Sequence, residues 1–343
     1  MKRLFCLILC LALCGCAASA NAQRYTASFQ DVFDTASQIV IYADDQGEAN
    51  RIAQLVYSEL LRYHKLFDQY NDWTGVTGVY EVNRDAASRP VKVEQELFDL
   101  LVFSKSMYEK TNGRTNIAMG NVLRLWHQAR EHGLENPSTA RLPDMAALQE
   151  AARHTDPSGI LLDSEKTTVA FADPQLKLDL GAIAKGYAVE RVADLLESEG
   201  VSGVLLSIGG NVRTIGLRPD GTAFPVGVQN PDLSAEPQHI AVAGLDNTSL
   251  VTSGSYQRFY TVDGRQYHHI IDPDTLMPAD HIWAVSVVAE DSGLADALST
   301  ALFTLSLEDG MALLETVPEA EALWVLKDGR IEMTEGMREL VSK

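Results

Sequence analysis

The chain has 343 residues, 46% hydrophobic and 22% charged, with a formal net charge of -19. That composition describes a globular protein with a sizeable core. The acidic balance weighs against nucleic acid and anionic membrane surfaces as direct partners, because both need a basic face, while a small anionic ligand needs only a local pocket or a metal.

The chain opens as a targeting segment. Lys2 and Arg3 precede an apolar run from Leu4 to about Leu13, too short for a permanent membrane span and shaped like a secretory signal. Leu13-Cys14-Gly15-Cys16 resembles a bacterial lipoprotein box, in which the last cysteine is lipidated; cleavage after Ala22 is the rival. Residues 1–22 therefore read as signal and tether, and 23–343 as one domain. All four cysteines lie at positions 6, 10, 14 and 16. The mature body then has no thiol for nucleophilic catalysis, zinc or an iron–sulfur cluster.

In chain order, "DVFDTASQIVIYAD" reads as a strand and residues 48–70 as a helix, with Ile52, Leu55, Val56, Leu60, Tyr63 and Phe67 along one face. Residues 71–83 read as a loop, 93–113 as a helix stopped by Gly113, and 114–133 as the approach to a third helix. Residues 133–144 are polar and read as a surface loop. "LKLDL" (176–180) is expected to be a short strand, 181–200 a helix, and 201–211 a buried strand ending at Gly209-Gly210. Short alternating runs over 212–290 predict mainly antiparallel strands. A strand at 281–291, a helix at 292–306 and a hairpin turning at Asp328-Gly329 close the chain. The fold class is α+β, with mixed, largely antiparallel sheets, packed helices and no interdomain linker.

Four stretches carry chemistry-bearing residues, and each alone also admits a plain structural reading. In "KLDLGAIAKGYAVE", Asp179 precedes Gly181 and a helix N-terminus suited to phosphate, with Lys185 as a cation; the P-loop spacing is absent. An ordinary strand-to-helix turn fits the same letters. Gly209-Gly210 suits either a tight turn or a cofactor against backbone. "TSGSYQRFYTVDGRQYHHIIDP" combines Ser253, Gly254 and Arg258 with two adjacent histidines. In a strand His268 and His269 point to opposite faces, and either is a candidate base or a surface residue. In "DSGLADALSTALF", Asp296 and Thr300 share a helix face beside Ser299: an oxygen-only set suited to Mg²⁺, or a polar stripe on an amphipathic helix.

The ordered set "LDLGAIAKGYAVE", "SIGGN", "VTSGSYQRF", "HHIIDP" and "ADALSTALF" resembles the FAD:protein FMN transferases, the ApbE proteins, from about Phe33 to about Leu326. The resemblance implies a periplasmic lipoprotein, lipid-anchored to the inner membrane through Cys16. It implies an enzyme that binds FAD and Mg²⁺, splits the FAD pyrophosphate, and transfers FMN to a Thr or Ser hydroxyl on subunits of membrane redox complexes. Carried over by motif, Ala182, Asp296, Thr300 and Ser299 would hold the metal. His269, directly before Ile-Ile-Asp-Pro, would be the base, with His268 its outward neighbour. Asp179, Lys185, Gly209, Gly210, Ser253, Gly254, Arg258 and Ile271 would line the FAD, joined by Phe33, Tyr70, Thr115 and Asn116. Two alternatives use the same residues or fewer: an FAD pyrophosphatase, and a flavin-binding lipoprotein without turnover. The sequence departs from the family pattern at Asn116, commonly Asp; at Leu276, where a turn glycine is usual; and at Asp34-Thr35, which stands for Gly-Thr.

Overall fold

A computed structural model describes residues 22–342. The signal segment up to residue 21, Cys16 included, lies outside the described residues. The centre is an eight-stranded, wholly antiparallel sheet in the order Gln23–Val32, Thr35–Ala43, Val204–Ile208, Asn211–Ile215, Ser249–Gly254, Ile282–Ala289, Ala320–Leu326 and Ile331–Met333. The middle strands are apolar on both sides because both faces are covered.

One face carries the helices Gln46–Phe67, Ala184–Ser198 and Ser292–Thr304, which close the main core. The first follows the helical spacing read from sequence. Asp45 caps it by accepting from the Glu48 N–H at 2.9 Å, and Ile52, Val56, Leu60, Tyr63 and Phe67 are buried. Helix Ser292–Thr304 is buried almost all round, as expected of an interior helix. The other face is covered by the strands Phe224–Gln229 and His239–Leu245 and by Met337 of helix Glu335–Leu340. A third cluster joins helices Gly120–Glu135 and Met145–Ala152 to the hairpin Phe259–Val262/Arg265–His268. Between it and the main body runs a cleft.

The α+β, mainly antiparallel, single-domain expectation holds, with three local corrections. The single strand read over 31–44 is two strands. Val32 pairs with Thr35, and Phe33 and Asp34 form the turn at φ 54° and 50°. Alternation alone does not reveal a two-residue turn without glycine. The loop read over 71–83 contains the start of helix Val79–Asp85, whose entry is fixed by Glu81 accepting from the Gly78 N–H at 2.9 Å. Residues 176–180 form no named strand. They bridge only at Lys177–Met119, and the Asn83 side chain stands in for a partner strand at Leu178, accepting from its N–H at 2.7 Å and donating to its carbonyl at 2.9 Å.

Candidate active site

The cleft holds about 310 Å³, within the range of small-molecule sites, and opens to solvent. Its floor comes from the turn before helix Ala184–Ser198. Asp179 accepts from the Gly181 N–H at 2.8 Å and from Gln69 Nε2 at 2.6 Å, which fixes the carboxylate and the turn together. Helix Ser292–Thr304 lies directly against this turn. A Cβ at Gly186 would collide with the Ser292 carbonyl oxygen and Asp296 Cβ, so only glycine permits the approach. That contact brings Asp296 Oδ2 to 2.8 Å from the Gly186 N–H and 3.7 Å from Lys185 Nζ. Thr300 Oγ1 lies 3.4 Å from the Ala182 carbonyl oxygen.

A carboxylate, a hydroxyl and a backbone carbonyl thus converge on one wall. Such hard oxygens fit Mg²⁺, which also keeps waters and phosphate oxygens. Among the described residues no cluster of three or more His, Cys, Asp or Glu competes as a metal site. Ser299 is placed differently from the other three. It is fully buried, and its Oγ is engaged by Ser253 Oγ at 2.8 Å and the Asp296 carbonyl at 2.9 Å. It braces Asp296 and Ser253 from behind the wall.

The two histidines do separate, but not as an inward and an outward residue. His268 is buried, with Nε2 donating to the Ala279 carbonyl (2.7 Å) and Nδ1 accepting from the Ile270 N–H at 3.2 Å. Because that carbonyl can only accept, Nε2 carries the proton. The ring packs edge-on to Phe303. Burial holds its pKa down to about 4. The expectation of an outward His268 is corrected: the strand ends there, and the following chain folds over the face that would have been open. His269 faces the cleft and is accessible to water. Crowding by the cleft walls, then Arg258, His268, Arg130 and Lys185, pushes its pKa below the usual histidine value. It is therefore a neutral imidazole in the free protein near pH 7.

The loop after His269 is tightly held. Arg114 reaches Asp272 at 3.1 Å and Asp274 at 2.6 Å, and Trp126 Nε1 donates to the Leu276 carbonyl at 2.9 Å. Leu276 takes φ 60°, the conformation for which a turn glycine is suited, and its side chain is buried in the third cluster. Packing compensates for a left-handed leucine. On the opposite lip, Phe33 N–H donates to His64 Nδ1 at 3.1 Å, and Arg258 Nη2 donates to the Asp34 carbonyl at 2.9 Å.

Of the remaining candidates, Tyr70, Asn116, Gly209, Ser253, Gly254 and Ile271 also line the cleft. Tyr70 stacks on His127 with ring centroids 4.8 Å apart. Gly209 and Gly210 form a turn at φ 54° and 94°, and Gly210 contributes its carbonyl to the Thr252 N–H rather than a surface to the cleft. Thr115 is not brought to the wall: it is fully buried and donates to the Ala297 carbonyl at 2.6 Å.

The ApbE family model matches residues 33–324. The chain belongs to the ApbE family. Among its relatives is an FAD:protein FMN transferase of Klebsiella pneumoniae, 32% identical over 87% of this chain and 88% of the relative. Another, from Treponema pallidum and of the same name, is 31% identical over 96% and 93%. The crystal structure of the ApbE protein from Thermotoga maritima superposes with a TM-score of 0.82 at 29% identity, covering 94% of this chain and all of that one. In this ApbE chain the motifs did not reveal Arg114, His127 or Arg130, which the cleft also contains. For the last two a signal existed: Leu123, Trp126, His127 and Arg130 follow i, i+3, i+4, i+7 spacing, and all four face the cleft.

Proposed function

We infer that this protein is an FAD:protein FMN transferase. One observation carries the reading: a neutral imidazole faces the same cleft as three cations, Lys185, Arg258 and Arg130, and an all-oxygen wall. The named transferases among its relatives support the same reaction.

The cations hold the FAD diphosphate, and Tyr70 offers a face to a ring of the dinucleotide. Ala182, Asp296 and Thr300 would hold Mg²⁺, which supplies charge neutralisation on the diphosphate. His269 accepts the proton of an incoming Thr or Ser hydroxyl. That oxygen forms a bond to the FMN phosphorus, the bridging P–O bond breaks, and AMP leaves with the bridging oxygen and its electron pair. Phosphoryl transfer depends on positioning and charge stabilisation, so no protein nucleophile is needed. The acceptor is proposed to be a subunit of a membrane redox complex. Cys16, lipidated, would anchor the enzyme on the periplasmic side of the inner membrane; acyl labelling lost in Cys16→Ala is the expected result. No helix among the described residues is long and apolar enough to cross a membrane.

The test is to incubate residues 23–343 with FAD, Mg²⁺ and an acceptor subunit and to read the acceptor's mass. A gain of one FMN, lost with a chelator, is expected. Free FMN and AMP over an unmodified acceptor would make the protein a pyrophosphatase. Intact bound FAD would make it a carrier.

A further inference from the structure

Helix Gly120–Glu135 gives the cleft a wall that none of the recognised motifs covers. Its cleft face runs from apolar to cationic. Leu123 and Trp126 come first, then His127 stacked on Tyr70, then Arg130. The Arg130 side chain is only 20% exposed, and Nη2 sits 2.9 Å from His127 Nδ1, which accepts from the guanidinium. Among the described residues its carboxylate neighbour is Glu131 at 3.5 Å, a long contact. Arg114, by comparison, is held at 3.1 and 2.6 Å by Asp272 and Asp274, and Lys185 lies beside Asp296. A partly buried guanidinium with most of its five donors unused, in a chain of net charge -19, is placed for an anion.

We propose that Arg130 is a phosphate-binding residue of this site, a third cation on the FAD diphosphate besides Lys185 and Arg258. The proposal rests on the transferase reading, because the diphosphate is its ligand. Its fork geometry suits two phosphate oxygens at once, and His127 orients it through the shared hydrogen bond. The same contact stabilises negative charge on whichever phosphate it grips as the P–O bond breaks.

Calorimetry on the whole soluble body with FAD, FMN, AMP and riboflavin tests it, comparing the wild type with Arg130→Gln and Arg130→Lys. Loss of a charged hydrogen-bonding partner predicts FAD binding weakened about 10- to 100-fold in R130Q. Riboflavin, which has no phosphate, should bind both proteins alike, and R130K should recover part of the loss. Weakening of FMN alone or AMP alone identifies which phosphate Arg130 holds. Unchanged affinity for FAD and both monophosphates in R130Q overturns the proposal. So does equal weakening of riboflavin, which marks a structural role. Failure of the wild type to bind FAD would instead defeat the transferase reading itself.

Discussion

At the scale of single residues, the two adjacent histidines divide one chemical type into two roles by environment. His269 stands in the cleft among cations, and His268 is locked beneath the loop. His269→Ala is expected to lower FMN transfer about 10²- to 10⁴-fold, the usual worth of a general base, while FAD still binds by fluorescence quenching. Unchanged transfer would remove the base from the mechanism. His268 makes a different prediction. Its folded pKa, near 4, lies below the unfolded value of 6.5, so between those pH values the unfolded chain binds more protons. Stability from this group is present above pH 6.5 and lost as pH falls through 4, on the order of 3 kcal/mol in all. His268→Gln should flatten that part of the pH–stability curve measured by urea unfolding. The adjacent pair was legible in the sequence, and so was His269's place before Ile-Ile-Asp-Pro. The burial of His268 was not, because it depends on Ala279, eleven residues downstream.

Elements position the site by close approach. Gly186 lets helix Ala184–Ser198 touch helix Ser292–Thr304, and that contact places Asp296 beside Ala182 and Thr300. Gly186→Ala should cost about 1–3 kcal/mol of stability through overpacking. It should also weaken Mg²⁺ binding measured by calorimetry, since Asp296 must shift. Retained metal affinity would uncouple the helix contact from the ligand set. The 270–278 loop offers a contest between two effects. Leu276→Gly removes roughly 1–2 kcal/mol of left-handed strain but forfeits a buried leucine worth about 2–5 kcal/mol. Net destabilisation is expected in urea, and a stabilised variant would show that strain wins. The oxygen set was readable because Asp296 and Thr300 are four apart on a predicted helix. The Leu276 turn was not, because a leucine letter carries no sign of positive φ. Arg130 was readable in principle, from the spacing of one helical face, but not from any motif.

Across the whole molecule, a strongly acidic chain sets Arg114, Arg130, Lys185 and Arg258 against an equal number of aspartates in one cleft lined by both the main body and the third cluster. Ligand binding there should stabilise the fold as a unit. At FAD 100 times its dissociation constant with Mg²⁺ present, about 2.7 kcal/mol is expected, seen as a rise in the thermal midpoint. No rise would mean that FAD binds the folded and unfolded chain alike, or not at all. The two apolar layers share the central sheet, so losing either one exposes a face of that sheet to water.

The first strand also sets a working distance. Gln23–Val32 forms one edge of the sheet and ends at the Phe33–Asp34 turn, which lines the cleft. Ten residues of strand at ~3.3 Å each span about 30 Å. The cleft mouth at Phe33–Asp34 lies a strand's length from Gln23, on the side of the chain that leads to the proposed anchor at Cys16. If Cys16 is lipidated as proposed, that strand's length enters the distance between the membrane and the hydroxyls the cleft can reach.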